Sequence, residues 1–451
     1  MTVRGNGHRP DRGVRHRHAE LIGRICDEVT NRLTERRRAD EAIGAPPLDE
    51  ADQRAYARQL INQALEAEAR SALAGQREVF PVAEEDEIAR AVHDLLFGLG
   101  PLQRLLDDPD IETINANGCD SVWVRYAGGR RTQVEPIASS DAELVELIRL
   151  AAARFGLAER RFDLATPLLD LRLPDGSRLF AAMAVAARPS LSIRRHRFPK
   201  LDLDDLAERG TVAPSLRAFL GAAVRSGLNI LVCGGTSAGK TTLLRALASE
   251  IPRDERLITI EDALELGLDR DPERHANVTA LEARPPNVEG EGEITMAALV
   301  RAALRMDPDR VIVGEVRGAE VLPMLNAMSQ GNDGSMCTLH ANSSAGAFDK
   351  LATYAVQTPE RLGLEATNLL IANAIDLVVH LAYDRASGRR AVDSVREVTG
   401  ADGPLVASNE IWRPGPDGQA LPGAPLREQT LDRLVGAGFV PDWLDSSGWW
   451  R

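Results

Sequence analysis

Apolar residues recur at helical spacing at Leu21, Ile22, Ile25, Val29 and Leu33, and again at Tyr56, Leu60, Ile61 and Leu65, on either side of a Pro46-Pro47 break. The pattern predicts two helices forming a helical appendage over 19–80. Residues 1–18 carry five arginines and three histidines with almost nothing apolar to bury, and so read as a disordered basic tail. From about residue 86 the texture changes to a helix (IARAVHDLLFGLG), a glycine and proline turn, and short strands such as SVWVRY. A helix over 144–155 and strands near 179–185 and 191–193 complete a smaller mixed α/β domain over 85–200. The charged stretch FPKLDLDDLAERG reads as a linker over 201–214.

Beyond it Leu216, Phe219, Leu220, Ala223 and Val224 form one helical face, closed by Gly227 as a C-terminal cap. Strand 228–233, a helix with Leu243, Leu244 and Leu247 on one side, strand 257–260, strand VIVG, a helix over 319–330 and strand SMCTLH then alternate. Such alternation predicts a parallel-rich sheet covered by helices, an α/β fold whose ligands lie at the carboxyl ends of the strands. From Asp376 the segments DLVVHLA, AVDSVREV and LVASNEIW read as antiparallel strands turning at SGRR and PGPDG, which takes this domain over 215–415 and leaves 416–451 as a C-terminal extension.

A chain of 451 residues can bury two or three cores. Its 44% apolar and 27% charged residues resemble an ordinary soluble protein, no apolar run reaches 18 residues, and the arginine-rich start lacks the apolar core of a secretory signal. A cytoplasmic protein is therefore expected. Cys26, Cys119, Cys233 and Cys337 form no CxxC pair and have no His at metal spacing, which suits reduced core residues and predicts no zinc. The net charge of −13 argues against general binding of nucleic acid.

The candidate chemistry begins where the apolar strand ends, at Gly234, Gly235, Thr236, Ser237, Ala238, Gly239, Lys240 and Thr241, followed by Thr242. This is a GxxxxGKT loop. Its glycines let successive N–H groups turn toward phosphates, Lys240 supplies charge to the β- and γ-phosphates of ATP, and the Thr241 hydroxyl suits Mg²⁺. Hydrolysis then requires a positioned water and countercharge. Glu261 and Asp262 follow strand LITI, and either could orient or deprotonate that water. In RVIVGE, Gly314 stands where many phosphate-loop enzymes place a metal-facing Asp, so Glu315 is the acid left for the Mg²⁺ shell, partly through water. Strand alternation in SMCTLH puts Thr338 and His340 on one face, where His340 could sense the γ-phosphate. Arg172 and Arg178 flank LPDGS, while Arg194, Arg195 and Arg197 follow SLSI. Both solvation and contact with phosphates are open to them.

The order TIED, ARPPNVEGEGEI, LRMDPDRVIVGEVRG and GNDGSMCTLHANS resembles the secretion-system ATPase superfamily of type II and type IV secretion and type IV pili. The resemblance covers roughly 85–415 and is nearest the CpaF-like branch of Flp/Tad pilus assembly. It implies a RecA-like ATPase domain and a homo-hexamer on the cytoplasmic face of the membrane, acting on inner-membrane platform proteins to drive a pilus-like fibre. It further implies Glu261 as water activator, Glu315 as the Walker B acid, Thr338 and His340 as a nucleotide-reporting pair, and Arg194, with Arg178 second, acting on the phosphates. Arg284 and Arg317 are further candidates. GNDG replaces the commoner GHDG, so a role for that earlier histidine does not carry over. Three alternatives stay open: a type IV secretion or DNA-transfer motor, an ATP-binding scaffold without turnover, and, weakest, a small-molecule kinase.

Overall fold

The structure is a computed structural model that describes residues 12–126, 129–155, 161–195, 200–287, 290–384, 387–416 and 418–441. The chain divides into two compact units, Met1–His196 and Arg197–Arg451.

In the first unit α1 (Arg12–Ala42), α2 (Glu50–Ala74) and α3 (Val82–Phe97) form a small bundle. Leu21, Ile25 and Val29 of α1 meet Ala57, Leu60, Ile61 and Leu65 of α2 and Ile88 and Val92 of α3 in one core. Asp49 starts α2 by accepting from the Asp52 N–H. Two expectations change here. Helix α1 already runs from Arg12, inside the segment read as a tail, because arginine tolerates helix and extending a helix anchored by a packed stretch is easy. Helix α3, grouped by sequence with the α/β domain, packs on the appendage helices instead.

After α4 (Gln103–Asp107) come β1 (Ile111–Asn117), β2 (Val122–Tyr126), β3 (Arg131–Val134), α5 (Asp141–Phe155), β4 (Leu168–Arg172), β5 (Arg178–Ala182) and β6 (Ser190–Arg194). The strands form an antiparallel sheet of order β3-β2-β1-β6-β5-β4. Leu144, Leu147, Ile148 and Ala151 of α5 cover one face, against Ile114, Leu171, Leu179 and Ile193. Alternation leaves the other face polar, with Trp123 and Phe180 exposed on it.

The second unit opens with α6 (Leu203–Glu208), capped by Asp202, and α7 (Pro214–Arg225). It continues through β7 (Ile230–Gly234), α8 (Lys240–Ala248), β8 (Leu257–Glu261), β9 (Val278–Glu282), α9 (Met296–Ala303), β10 (Arg310–Val316), α10 (Val321–Ser329) and β11 (Met336–His340). Then follow α11 (Gly346–Gln357), α12 (Leu364–Ala374), β12 (Leu377–Tyr383), β13 (Arg390–Asp402), β14 (Leu405–Pro414), β15 (Ala420–Pro422) and α13 (Glu428–Gly436). The nine strands order as β15-β14-β13-β12-β7-β11-β10-β8-β9, with β12 through β9 of that order parallel. Every residue of β7 and β8 is buried, as a sheet covered on both faces demands. This is the RecA-like phosphate-loop arrangement, extended by an antiparallel flank.

Three further readings change. The stretch expected as a linker is core: Leu203, Leu206 and Val212 are buried in the second unit, the two leucines meeting the sheet side at a spacing of three. DLVVHLA pairs antiparallel with β13 but parallel with β7, joining the flank to the phosphate-loop strand. The segment after 415 supplies Leu434 and Phe439 to the same core, Phe439 edge-on to Phe219 at 5.9 Å. Among the described residues no helix is long and apolar enough to cross a membrane.

Candidate active site

The loop's path is dictated by close neighbours. A side chain at Gly234 would place its Cβ 2.4 Å from the Leu381 carbonyl oxygen of β12, so β7 can end there only in glycine. Gly239 adopts a φ of 103° and turns the chain into α8, whose first residues are Lys240, Thr241 and Thr242. Gly235, Thr236 and Ser237 are exposed and Ala238 is buried. Lys240 lies almost wholly inside, and burial lowers the pKa of its ammonium. Its Nζ donates to Gly235 O at 3.1 Å and sits 3.0 Å from His340 Nδ1.

A continuous set of charges runs from that lysine. His340 Nε2 is 2.8 Å from Glu315 Oε1, while Arg317 donates to Glu315 Oε2 at 2.7 Å and to Asp262 at 3.3 Å. Lys240 Nζ is also 3.4 Å from Nε2, and Glu315 Oε1 accepts no hydrogen bond among the described residues, so a neutral ring takes the ammonium's N–H and meets Glu315 by proximity alone. Burial, and next the charge of Lys240, lower its pKa and so favour this neutral form. Parallel β7, β10 and β11 bring these groups to one end of the sheet.

Glu261 differs from the other acids. It is buried at the end of β8, its Oε2 accepts from the N–H groups of Glu265 and Leu266 at 2.7 and 2.8 Å, and its Oε1 is buried without a partner among the described residues. Burial pushes its pKa up to about 7. Gly314 explains itself beside it: a Cβ there would come 2.9 Å from Glu261 Cγ, leaving no room for an aspartate.

Thr338 does not emerge beside His340 as alternation suggested. It is fully buried, and its hydroxyl donates to Gly314 O at 2.6 Å, tying β11 to β10. Arg284 donates to Gly292 O at 2.9 Å within the ARPPN hairpin and stands outside the charge chain. Asn332, in place of the commoner histidine, donates to Pro308 O at 2.7 Å and braces the turn before β10. Sequence reading missed Arg390, at the start of β13, which donates to Ser237 O at 3.1 Å. The SGRR turn was visible, but not that β12 lies beside β7.

In the first unit strand register aligns what sequence left scattered. Arg172, Arg178 and Arg194 lie directly opposite one another on β4, β5 and β6, and the row continues through Thr113 and Arg125 to Arg131. Arg178 pairs with Asp170 at 2.5 Å. Arg194 is exposed, and its side chain makes no ion pair or hydrogen bond among the described residues. Arg195 donates to the carbonyls of Ile111 and Asp108 and so braces β1. Arg197 lies outside the described residues. Cys119, Cys233 and Cys337 are buried and Cys26 is half-buried, all as free thiols.

The family model described as Type II/IV secretion system protein matches residues 96–404. This chain belongs to that family. A Mycobacterium tuberculosis relative named as a conjugal transfer protein is 38% identical over 334 residues, spanning 72% of this chain and 90% of the relative. The type IV secretion system protein VirB11 of Brucella suis is 31% identical over 332 residues, spanning 68% of this chain and 90% of VirB11. A crystal structure of the Brucella suis VirB11 ATPase in complex with sulphate aligns at 29% identity over 66% of this chain and 96% of that one, with a TM-score of 0.36.

The residues fit a magnesium nucleotide. Thr241 follows the buried Lys240 in the first turn of α8, and while Glu315 Oε2 takes Arg317, its Oε1 is buried without a hydrogen-bond partner among the described residues, an acceptor open to a metal-bound water.

Proposed function

We propose that this protein is an ATP-hydrolysing motor subunit of a type IV secretion or conjugal transfer apparatus. The names of its relatives favour that service over Flp/Tad pilus assembly, whose motors share the same catalytic parts. The observation that carries hydrolysis is the Lys240–His340–Glu315 chain beside a buried Glu261.

The phosphates of ATP accept from the loop N–H groups and from Lys240, which turns toward them from Gly235 O and His340. Bound Mg²⁺ would supply charge neutralisation to the phosphates, and Thr241 with Glu315, partly through water, are the residues that would hold it. Glu261, ionised above a pKa of about 7, orients the attacking water and takes its proton. When Lys240 leaves, Nδ1 of His340 loses its donor, and protonation there, favoured by Glu315 at 2.8 Å, lets the ring donate toward the γ-phosphate and so report occupancy. Arg194, with Arg178 behind it, supplies countercharge in a homo-hexamer that works at the cytoplasmic face of the membrane through platform proteins.

The test is ATPase rate against protein concentration with sizing in parallel, for wild type, Glu261→Gln and Arg194→Ala. A rate per subunit that rises with hexamer formation and collapses in both variants supports the ring motor. ATP binding without turnover under every condition would instead make the protein a regulatory scaffold.

A further inference from the structure

The antiparallel flank reaches the phosphate loop at both of its ends. On β12 the Leu381 carbonyl stands against Gly234. From β13, Arg390 holds Ser237 through the 3.1 Å bond from its Nε to the Ser237 carbonyl, and its Cδ lies 3.4 Å from where a Cβ of Gly239 would be. Tyr383 is directly opposite Arg390 in the strand register, and the guanidinium stacks 4.6 Å from its ring centroid.

What Arg390 grips is the strained point of the loop. Ser237 has a φ of 63°, a left-handed conformation that crowds the Cβ of any residue with a side chain. Because a trans peptide sets its C=O and N–H in opposite directions, fixing the Ser237 carbonyl outward aims the Ala238 N–H inward. That N–H reaches Gly235 O at 3.3 Å, the same oxygen that takes Lys240 Nζ at 3.1 Å. Two donors meant for an anion therefore already converge on one point. A cation on the carbonyl also polarises the peptide and strengthens its N–H as a donor.

We propose that Arg390 is a positioning residue of the phosphate loop: held by Tyr383, it locks the Ser237–Ala238 peptide in the orientation that receives phosphate, so the flank outside the parallel sheet sets nucleotide affinity. This rests on the loop binding ATP, as proposed above. Arg390 is exposed at the end of a hairpin, so its loss leaves the core intact.

The experiment measures ADP affinity by calorimetry, ATP KM and kcat, and the melting temperature of the nucleotide-free full chain, for wild type, Arg390→Gln and Arg390→Lys. The expected result is an ADP Kd and an ATP KM raised about tenfold in Arg390→Gln, with kcat within about threefold, melting unchanged, and most of the affinity restored in Arg390→Lys. Arg390→Gln binding ADP like wild type overturns the proposal. So does a joint fall in melting temperature and kcat that lysine fails to rescue, which would make Arg390 a structural brace. If wild type binds neither ATP nor ADP, the nucleotide reading itself falls, and this one with it.

Discussion

The two sheets carry their chemistry in opposite ways. In the parallel sheet of the second unit the charged side chains of β8, β10 and β11 stand at or near strand ends, and because these strands and β7 point one way their carboxyl ends gather Lys240, Glu261, Glu315 and His340 in one place. The antiparallel sheet of the first unit buries one face and displays the other, so its arginines form a row across the strands and not a cluster at their tips. A parallel sheet concentrates a site, whereas an antiparallel one spreads a charged line that needs a separate partner to focus it.

The sharpest break between them should come from Lys240→Ala, for which we expect ATP turnover to fall at least 10²- to 10³-fold, about the loss of one preorganised charge donor. Arg194→Ala should approach that figure only if the row acts on phosphate, and a turnover within twofold of wild type would confine the chemistry to the parallel sheet. Arg178→Ala tests the same row from its paired member. It should affect turnover less and unfolding more, because it strands Asp170.

Glu261→Gln separates catalysis from stability within the parallel sheet. Wild-type turnover should rise through pH 7 as the carboxyl ionises, and the variant should be about 10²- to 10⁴-fold slower and lack that rise. The carboxyl titrates near 7 folded but near its ordinary 4.5 unfolded. Between those values the native state holds the proton that the unfolded chain releases, so this group's contribution favours folding at pH 4.5 and is lost as pH climbs to 7. Chemical denaturation at pH 5 and pH 8 should show a wild-type decline, relative to the Gln variant, of up to about 3 kcal/mol. An identical pH dependence in both would remove Glu261 as the buried base. The smallest effect belongs to Thr338→Val, expected to lower unfolding free energy by about 1 kcal/mol while KM and kcat hold. A turnover loss at unchanged stability would return Thr338 to the site.

Much of the parallel sheet was legible because its motifs stand where apolar runs end: GGTSAGKT from the last residue of β7, Glu261 closing β8, Glu315 in β10 and His340 closing β11. What escaped depended on neighbours distant in sequence. Alternation correctly separated Thr338 from Cys337, but β10 alongside gave its hydroxyl a carbonyl to meet before it could reach solvent. Charge disguised 201–214 as a linker, although Leu203 and Leu206 already carried helical spacing. The arginine row appears only once residues 172, 178 and 194 are put in register, and Arg390 only once β12 is known to border β7.

Gly314 turns out to be the other half of Glu261. With 2.9 Å between the glutamate's Cγ and the first atom any side chain at 314 would add, the two positions share a single allotment of space. An acid can stand on one strand or on its neighbour, but not on both at full length. A designer wishing to install an aspartate directly on the metal side of β10 would therefore have to shorten position 261 in the same step, exchanging a buried base for an exposed ligand and moving the seat of the chemistry by one strand.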